Sequence, residues 1–318
     1  KPIPFGSSFL LPEEVAARIL LELKGDAEAW LDREVKEAVI TVPAWFSEPQ
    51  RRATIKAASL AGLQVKRLLN EPTAAALAWA WSLNKSLKLG RDERRVLVYD
   101  LGGGTFDVTI LAMRSDSCRV LSSMGDALLG GDDFDALILQ HVRRELADDL
   151  GDYLDDPFVA QQLRDLSEKA KCELSTSEKA SISLPFVGKG GAVHARVVLE
   201  RHQFEGMIDP LVERSLGLVH SALEDAGLKE DQLDYLVFSG GSSRIPRIRR
   251  SLSTLLGREG EGRVNPDEIV AYGAAVFASL ERGIQAGFSV QDALSRSFGL
   301  EIDGARSLHI VKRNSTIP

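Results

Sequence analysis

The stretch from Arg95 to Met113 constrains the fold of this chain more than any other segment. Two apolar, β-rich runs flank the octapeptide Asp-Leu-Gly-Gly-Gly-Thr-Phe-Asp at 100–107, and a strand, a glycine turn and a strand predict a β-hairpin. Three consecutive glycines expose backbone N–H groups to a polyanion, and the carboxylates of Asp100 and Asp107 suit a hard cation such as Mg²⁺. The octapeptide therefore predicts a nucleotide triphosphate site. The alternative is a glycine-rich hairpin with two solvated aspartates.

Composition indicates a folded protein with more than one lobe. The 318 residues exceed the roughly 250–300 that one hydrophobic core supports. The net charge of −7 argues against a general nucleic-acid binder, and no apolar run is long enough to span a membrane. The 2 cysteines and 5 histidines show no metal-ligand spacing and no disulfide framework, so we expect no metalloenzyme and favour a reducing compartment, the cytoplasm.

Strand and helix patterns are mixed along the whole chain, which predicts the α/β class. The predicted helices are 12–31, 47–61, 72–81, 132–150, 157–174, 202–226, 246–256 and 265–282. The predicted strands are 38–43, 65–69, 95–99, 108–113, 119–123, 181–186, 193–199 and 235–238, with strand-like sequence from 300 to 318. Polar or glycine-rich segments predict loops at 84–95 and 188–191 and a linker at 289–297.

Two strand–helix junctions carry further candidate site residues. Glu71 follows a predicted strand and opens a helix, where ligand residues of open α/β sheets often lie. The alternative is that Glu71 is an acid favoured by the helix dipole. At Gly240–Arg244, backbone amides can meet a phosphate and the Arg244 guanidinium can stack on a base, or the segment is a tight turn.

One predicted helix aligns three polar side chains. Glu168, Lys171 and Ser175 lie at positions i, i+3 and i+7 and therefore share a face. A carboxylate, an ammonium and a hydroxyl in a row can hydrogen-bond a ribose and an adenine. Taken alone, however, Glu168 and Lys171 are better explained as a surface ion pair.

Six sequence blocks, in this order, resemble the signature blocks of the heat-shock protein 70 (DnaK-type) chaperones. The blocks are 38–46, 70–76, 100–107, 129–135, 240–244 and 265–268, and the resemblance covers 11–318. It implies an actin-like ATPase with ribonuclease H-like duplicated lobes, followed by the start of a β-rich peptide-binding domain. It also implies that ATP or ADP binds with Mg²⁺ between the lobes.

The resemblance divides the chain into parts. Residues 1–94 would be the remainder of the first lobe, and 261–285 a return to it. Residues 95–129 and 207–260 would form the base of the second lobe, and 130–206 its upper subdomain. Residues 286–297 would be the linker, and 298–318 the truncated start of the peptide-binding domain.

The resemblance also assigns roles by position. The catalytic residues would be Glu71, Asp100, Thr105 and Asp107, with Asp100 and Asp107 holding Mg²⁺ mostly through water. The nucleotide-binding residues would be Gly102, Gly103, Gly104, Gly130, Gly131, Glu168, Lys171, Ser175, Gly240, Gly241, Ser242, Arg244 and Asp267. Pro43 and Arg51 resemble the family's switch pair, and Arg67 resembles a residue at the surface used by the linker and by J-domain partners.

The intact protein would then act on unfolded polypeptide clients with a J-domain co-chaperone and a nucleotide-exchange factor, and not on nucleic acid or membranes. The sequence departs from the family in lacking the first phosphate loop, Asp-Leu-Gly-Thr, and the catalytic lysine. By alignment it begins after both, so we expect poor ATP hydrolysis from this fragment. Two alternatives are a nucleotide-sensing scaffold without useful turnover and a sugar kinase of the same fold.

Overall fold

A computed structural model of the protein describes residues 2–6, 8–84, 92–187, 193–283, 288–294, 297–302 and 306–317. The strands are β1 (Ile3–Phe5), β2 (Ser8–Leu10), β3 (Glu37–Val42), β4 (Gln64–Asn70), β5 (Arg94–Leu101), β6 (Phe106–Met113), β7 (Ser117–Asp126), β8 (Lys179–Val187), β9 (Val193–Glu200), β10 (Tyr235–Ser239), β11 (Ser289–Ala293), β12 (Phe298–Ile302), β13 (Arg306–Val311) and β14 (Thr316–Ile317). The α-helices are α1 (Pro12–Leu31), α2 (Glu48–Leu60), α3 (Glu71–Asn84), α4 (Gly131–Glu145), α5 (Ala147–Leu150), α6 (Pro157–Leu174), α7 (Arg201–Ala226), α8 (Pro246–Leu256) and α9 (Ile269–Glu281). The predicted mixed α/β class is confirmed.

Residues beside the helix ends explain where several helices begin and end. The Ser47 N–H donates to the Gln50 side chain at 2.8 Å and begins α2. The Asp156 carboxylate accepts hydrogen bonds from two first-turn amides and begins α6. Gly227, with a φ of 65°, ends α7 in the left-handed region that glycine adopts readily.

The central sheet has six strands in the order β10-β5-β6-β7-β11-β14. Strands β5, β6 and β7 form an antiparallel meander, while β10 lies parallel to β5 and β11 lies parallel to β7. The predicted hairpin is therefore confirmed as β5 and β6. The register places Ser239 beside Asp100, Asp100 beside Asp107, and Asp107 beside Gly125. These four residues form a row across neighbouring strands.

The central sheet separates two hydrophobic cores. Leu97 and Tyr99 of β5 pack into the core formed with α4, α6, α7 and α8. Val96 and Val98 of the same strand pack into a second core with α3 and α9. Alternate residues of a strand point to opposite faces, so β5 contributes to both cores and is covered on both sides. Its polar residue Asp100 is consequently carried into a buried position.

Helices α3 and α9 cross with their backbones in contact. A Cβ atom added at Gly273 would lie 1.8 Å from the Ala74 carbonyl oxygen, so this crossing requires glycine. Beside α9 lies the parallel pair of strands β3 and β4, which leads into α3. This arrangement brings Glu71, the first residue of α3, towards the sheet that carries Asp100.

The range 286–297, predicted as a linker, contains a strand. Within it β11 pairs with β7 in parallel, and β14 pairs with β11 in antiparallel orientation. Asp292 of β11 is buried, with 8% exposure, and accepts a hydrogen bond from Thr73 at 2.8 Å. The segment lacks a continuous apolar run, and its strand conformation depends on a partner edge distant in the sequence.

Other elements differ from the sequence expectation in detail. The helix predicted over 132–150 is divided into α4 and α5 at Leu146. The glycine loop predicted at 188–191 and most of the loop predicted at 84–95 lie outside the described residues. Within the described ranges, none of the helices combines the length and the apolar character that crossing a bilayer demands.

Candidate functional site

Two buried carboxyls face each other where β5 and β6 meet their connecting turn. Asp100 is 7% exposed and Asp107 is 2% exposed. Within the described residues, Asp100 Oδ2 and Asp107 Oδ1 are buried oxygens without a hydrogen-bond donor. Buried polar atoms normally have a partner, so these two oxygens indicate a site for a ligand. The alternative of a hairpin with two solvated aspartates is wrong.

Three carboxyls at this position share raised pKa values. Burial raises the pKa of Asp100 to about 6. Burial and the charge of Asp100 raise the pKa of Asp107 to about 7. Glu71, at the start of α3, has its pKa raised to about 8 by burial and by the charges of both aspartates. Like charges in a low-dielectric position oppose ionisation, and a cation would remove that cost.

The donor set fits Mg²⁺ held largely through water. Carboxylate oxygens are the ligands that Mg²⁺ prefers, and this ion usually keeps several of its waters. Within the described part of the chain, no three acidic, histidine or cysteine side chains come close enough to hold an ion directly. The orphaned oxygens of Asp100 and Asp107 therefore fit a hydrated cation better than a fully dehydrated one.

The glycine turn between β5 and β6 is held by α4. The Gly131 N–H donates to the Gly102 carbonyl at 2.9 Å, and the Asp132 N–H donates to the Gly103 carbonyl at 2.8 Å. The Gly102 N–H donates to the Thr105 carbonyl, which closes the turn. Among the described residues, no backbone carbonyl accepts a hydrogen bond from the N–H of Gly103 or Gly104. These amides remain accessible to an anion such as phosphate.

Close backbone contacts explain why glycines are needed around this turn. A Cβ added at Gly130 would lie 2.2 Å from the Gly103 carbonyl oxygen. A Cβ added at Gly240, whose φ is 79°, would lie 2.3 Å from the Leu101 carbonyl oxygen. A Cβ added at Gly131 would lie 2.5 Å from Ser242 Oγ. Three chain segments therefore meet at the glycine turn through their main chains.

A cavity of about 580 Å³ opens beside the glycine turn. Of the residues predicted to bind nucleotide, eight line it: Gly103, Glu168, Lys171, Ser175, Gly241, Ser242, Arg244 and Asp267. The cavity is also lined by Thr176, Ile245 and Arg249, which are not among the predicted site residues. Cys172 contributes an exposed thiol to the same wall. The volume is sufficient for a small ligand.

Lys171 is buried, and its ion-pair partner differs from the one predicted. Its ammonium lies 2.7 Å from Asp135 Oδ2 and donates to the Gly131 carbonyl at 3.1 Å. The proposed surface pair of Glu168 with Lys171 is therefore wrong. Lys171 lies on the buried stripe of α6 with Ser167, Ala170 and Leu174, whereas Glu168 is exposed. The Ser175 hydroxyl, directly after the end of α6, donates to the Lys171 carbonyl.

Two arginines of the opposite wall have different partners. Arg244 donates to Asp267 at 2.6 Å and also to Asn265. Arg249 is half-buried, with its guanidinium carbon 4.4 Å from the centre of the Phe238 ring, a cation–π contact. Burial lowers the pKa of Arg249, and the charge of Arg244 lowers it further. The wall opposite α6 thus presents planar, cationic groups.

Of the residues predicted as a switch, Arg51 interacts with both the carboxyl site and β11. Arg51 donates to Asn70 Oδ1 at 2.6 Å and to the Ala44 carbonyl at 3.3 Å, in the turn that follows Pro43. Burial lowers the pKa of Arg51, and the charges of Asp292 and Asp107 act in the opposite direction. The charge of Arg67 acts on Asp292. Arg51 and Arg67 therefore both interact electrostatically with Asp292 of β11.

A comparison with known protein families identifies a matching family model. The family model described as Hsp70 protein matches residues 5–318. The match extends over nearly the whole chain, including every strand end, turn and cavity wall of the site.

Proposed function

Because the chain belongs to the Hsp70 family, we propose that it forms the ATP-binding and ATP-hydrolysing part of a DnaK-type chaperone. Family membership implies ATP-dependent chaperone activity, with ATP or ADP and Mg²⁺ as the bound groups. The observation that carries the proposal for this chain is the buried pair Asp100 and Asp107 at a glycine turn beside a cavity of about 580 Å³.

The mixed α/β architecture is consistent with the actin-like nucleotide-binding domain of the family. In this proposal residues 1–94 and 261–285 form the first lobe, and 95–260 form the second. The crossing of α3 with α9 supports this division because the two helices come from the two parts of the proposed first lobe. Residues 298–318 would begin the peptide-binding domain.

The carboxyls would hold the metal and position water. Mg²⁺, when bound, would neutralise charge on the phosphates. Asp100 and Asp107 would retain its water shell through the oxygens that lack other partners. Glu71, whose pKa is raised to about 8, would lose its proton as positive charge arrives and then accept a hydrogen bond from the attacking water. The Thr105 hydroxyl would lie at the γ-phosphate.

The glycine turns would clasp the phosphates, and the cavity would take the adenosine. The free amides of Gly103 and Gly104 support the first assignment. Glu168 and Ser175 would contact the ribose and base from one wall. Arg244, held by Asp267 at 2.6 Å, would present the flat face of its guanidinium to the base from the other wall.

The proposed partners are unfolded polypeptide clients, a J-domain co-chaperone and a nucleotide-exchange factor, without nucleic acid or membrane. The link between nucleotide and client would run through Arg51, on which Asp107 and the β11 residue Asp292 both act. The proposed location is the cytoplasm, whose reducing conditions are compatible with the free thiols of Cys118 and Cys172.

Calorimetry with Mg²⁺ and ADP, followed by single-turnover hydrolysis of labelled ATP, tests the proposal. We expect saturable ADP binding that Asp107→Asn weakens and that Glu145→Gln, an exposed control on α4, leaves unchanged. Absence of binding heat for both ADP and ATP would refute the nucleotide site. Stimulation by a J-domain protein and an unfolded peptide supports the chaperone, and consumption of ATP that depends on a sugar supports a kinase instead.

A nucleotide sensor with little turnover is the second candidate. Among the described residues, the pKa of Glu71 is moved by burial and by two aspartates, without a cationic contribution. Positioned cations contribute several kcal/mol to phosphoryl-transfer barriers. Tight ADP binding by the intact protein, with a turnover that a J-domain protein and an unfolded peptide leave unchanged, would select the sensor over the ATPase.

A further inference from the structure

A chain of polar contacts connects the cavity wall on α6 to the glycine turn. Asp135 on α4 pairs with Lys171 on α6 at 2.7 Å, and Lys171 donates to the Gly131 carbonyl at 3.1 Å. Gly131 in turn donates its N–H to the Gly102 carbonyl at 2.9 Å. The Ser242 hydroxyl donates to that same carbonyl at 2.9 Å. The wall, the helix start and both glycine turns are thereby joined.

Lys171 is the central group of this connection. An ammonium has three N–H donors, of which two are directed to Asp135 and the Gly131 carbonyl. The side chain of Lys171 is 10% exposed and that of Asp135 is 18% exposed, so solvent screens the pair little. A charged hydrogen bond in such a setting fixes direction as well as distance. The ammonium therefore has one well-defined position at the floor of the cavity.

The absence of side-chain volume at Gly131 makes this convergence possible. A Cβ there would lie 2.5 Å from Ser242 Oγ and 2.8 Å from Lys171 Nζ. Both side chains approach the main chain of the same residue from different elements. The relative position of α6, α4 and the turn at 240–244 is consequently fixed at one point.

We propose that Asp135 is a positioning residue for the nucleotide site, which holds Lys171 on Gly131 and so sets the distance between the adenosine wall and the phosphate turn. This inference rests on the proposed nucleotide function. A ligand that spans both ends of the site requires that distance to be correct before it binds. A ligand that occupies only the adenosine end does not, so the two ligands respond differently to loss of Asp135.

The test compares ADP with adenosine in the full chain. We expect Asp135→Asn to weaken ADP binding about tenfold, the loss typical of one hydrogen bond to a charged group. Adenosine binding should change less than about twofold on the same scale. Asp135→Glu should recover part of the ADP affinity because it restores the charge. Glu145→Gln, on the exposed face of the same helix, should leave both affinities unchanged.

A second variant separates positioning from general loss of structure. If Asp135 acts through Lys171, then adding Asp135→Asn to Lys171→Met should cause no further loss of ADP affinity. Equal weakening of ADP and adenosine by Asp135→Asn, or additive losses in the double variant, would overturn the inference. If the unaltered chain binds neither ligand, the proposed function itself fails, which is a different result.

Discussion

Asp107→Asn should make the stability of the protein less dependent on pH. Asp107 is 2% exposed and its pKa is raised to about 7, whereas an unfolded aspartate titrates near 4. In the nucleotide-free and metal-free protein, the unfolded state loses its proton first as pH rises. The folded state therefore loses stability between about pH 4 and pH 7, and the loss is complete above the folded pKa. An asparagine has no proton to lose in this range.

The expected magnitude follows from the width of that window. Each pH unit between the two pKa values changes the free energy of unfolding by about 1.4 kcal/mol. From pH 5 to pH 7 the stability advantage of Asp107→Asn over the unaltered protein should grow by about 2–3 kcal/mol, and it should level off by about pH 8. The growth of the difference does not depend on how well the amide packs, because packing is the same at each pH.

Urea unfolding at several pH values, in the presence of a metal chelator, measures this difference through tryptophan fluorescence. Asp148→Asn is the matched control, because Asp148 is exposed. An advantage of Asp107→Asn that is the same at pH 5 and pH 8 would show that Asp107 does not titrate near 7. The site would then lack the repulsion between buried carboxylates that is expected to favour binding of a cation.

Three further predictions concern other parts of the site. Mg²⁺ binding should tighten with rising pH up to about 8 and should release protons, because the pKa of Glu71 is about 8. In the Glu71→Gln variant, Mg²⁺ binding should release fewer protons, as measured by calorimetry in two buffers. Gly131→Ala should lower the free energy of unfolding by about 1–3 kcal/mol through overpacking. Gly217→Ala is the control, because a Cβ added there has no atom within 4 Å, and it should raise the free energy of unfolding by up to about 1 kcal/mol. Urea unfolding measures both changes. Asp292→Ala should speed proteolytic cleavage within 288–294, because the hydrogen bond from Thr73 is lost.

The local parts of the fold could be predicted from the sequence, for physical reasons visible in particular residues. The hairpin of β5 and β6 needs only two apolar runs and a glycine turn, so its existence and the pairing of Asp100 with Asp107 follow from adjacent residues. The start of α2 likewise depends on Ser47 and its close neighbours.

The contacts that sequence reasoning missed join residues distant in the chain. Helical spacing puts Lys171 within reach of Glu168 but does not show which face of α6 is buried. The observed partner, Asp135, is 36 residues away. Asp292 and Thr73 are 219 residues apart, and neither carries a local signal. Such pairs are decided by how the layers pack.

The order of the central sheet has a consequence for solubility. Strand β11 covers the edge of β7, and β14 extends the sheet beyond it. If the segment 289–293 were to leave, the N–H and C=O groups along that side of β7 would lose their hydrogen-bond partners. An uncovered edge pairs readily with any extended polypeptide, including another molecule of the same protein. Docking of this one segment therefore also protects the protein against self-association.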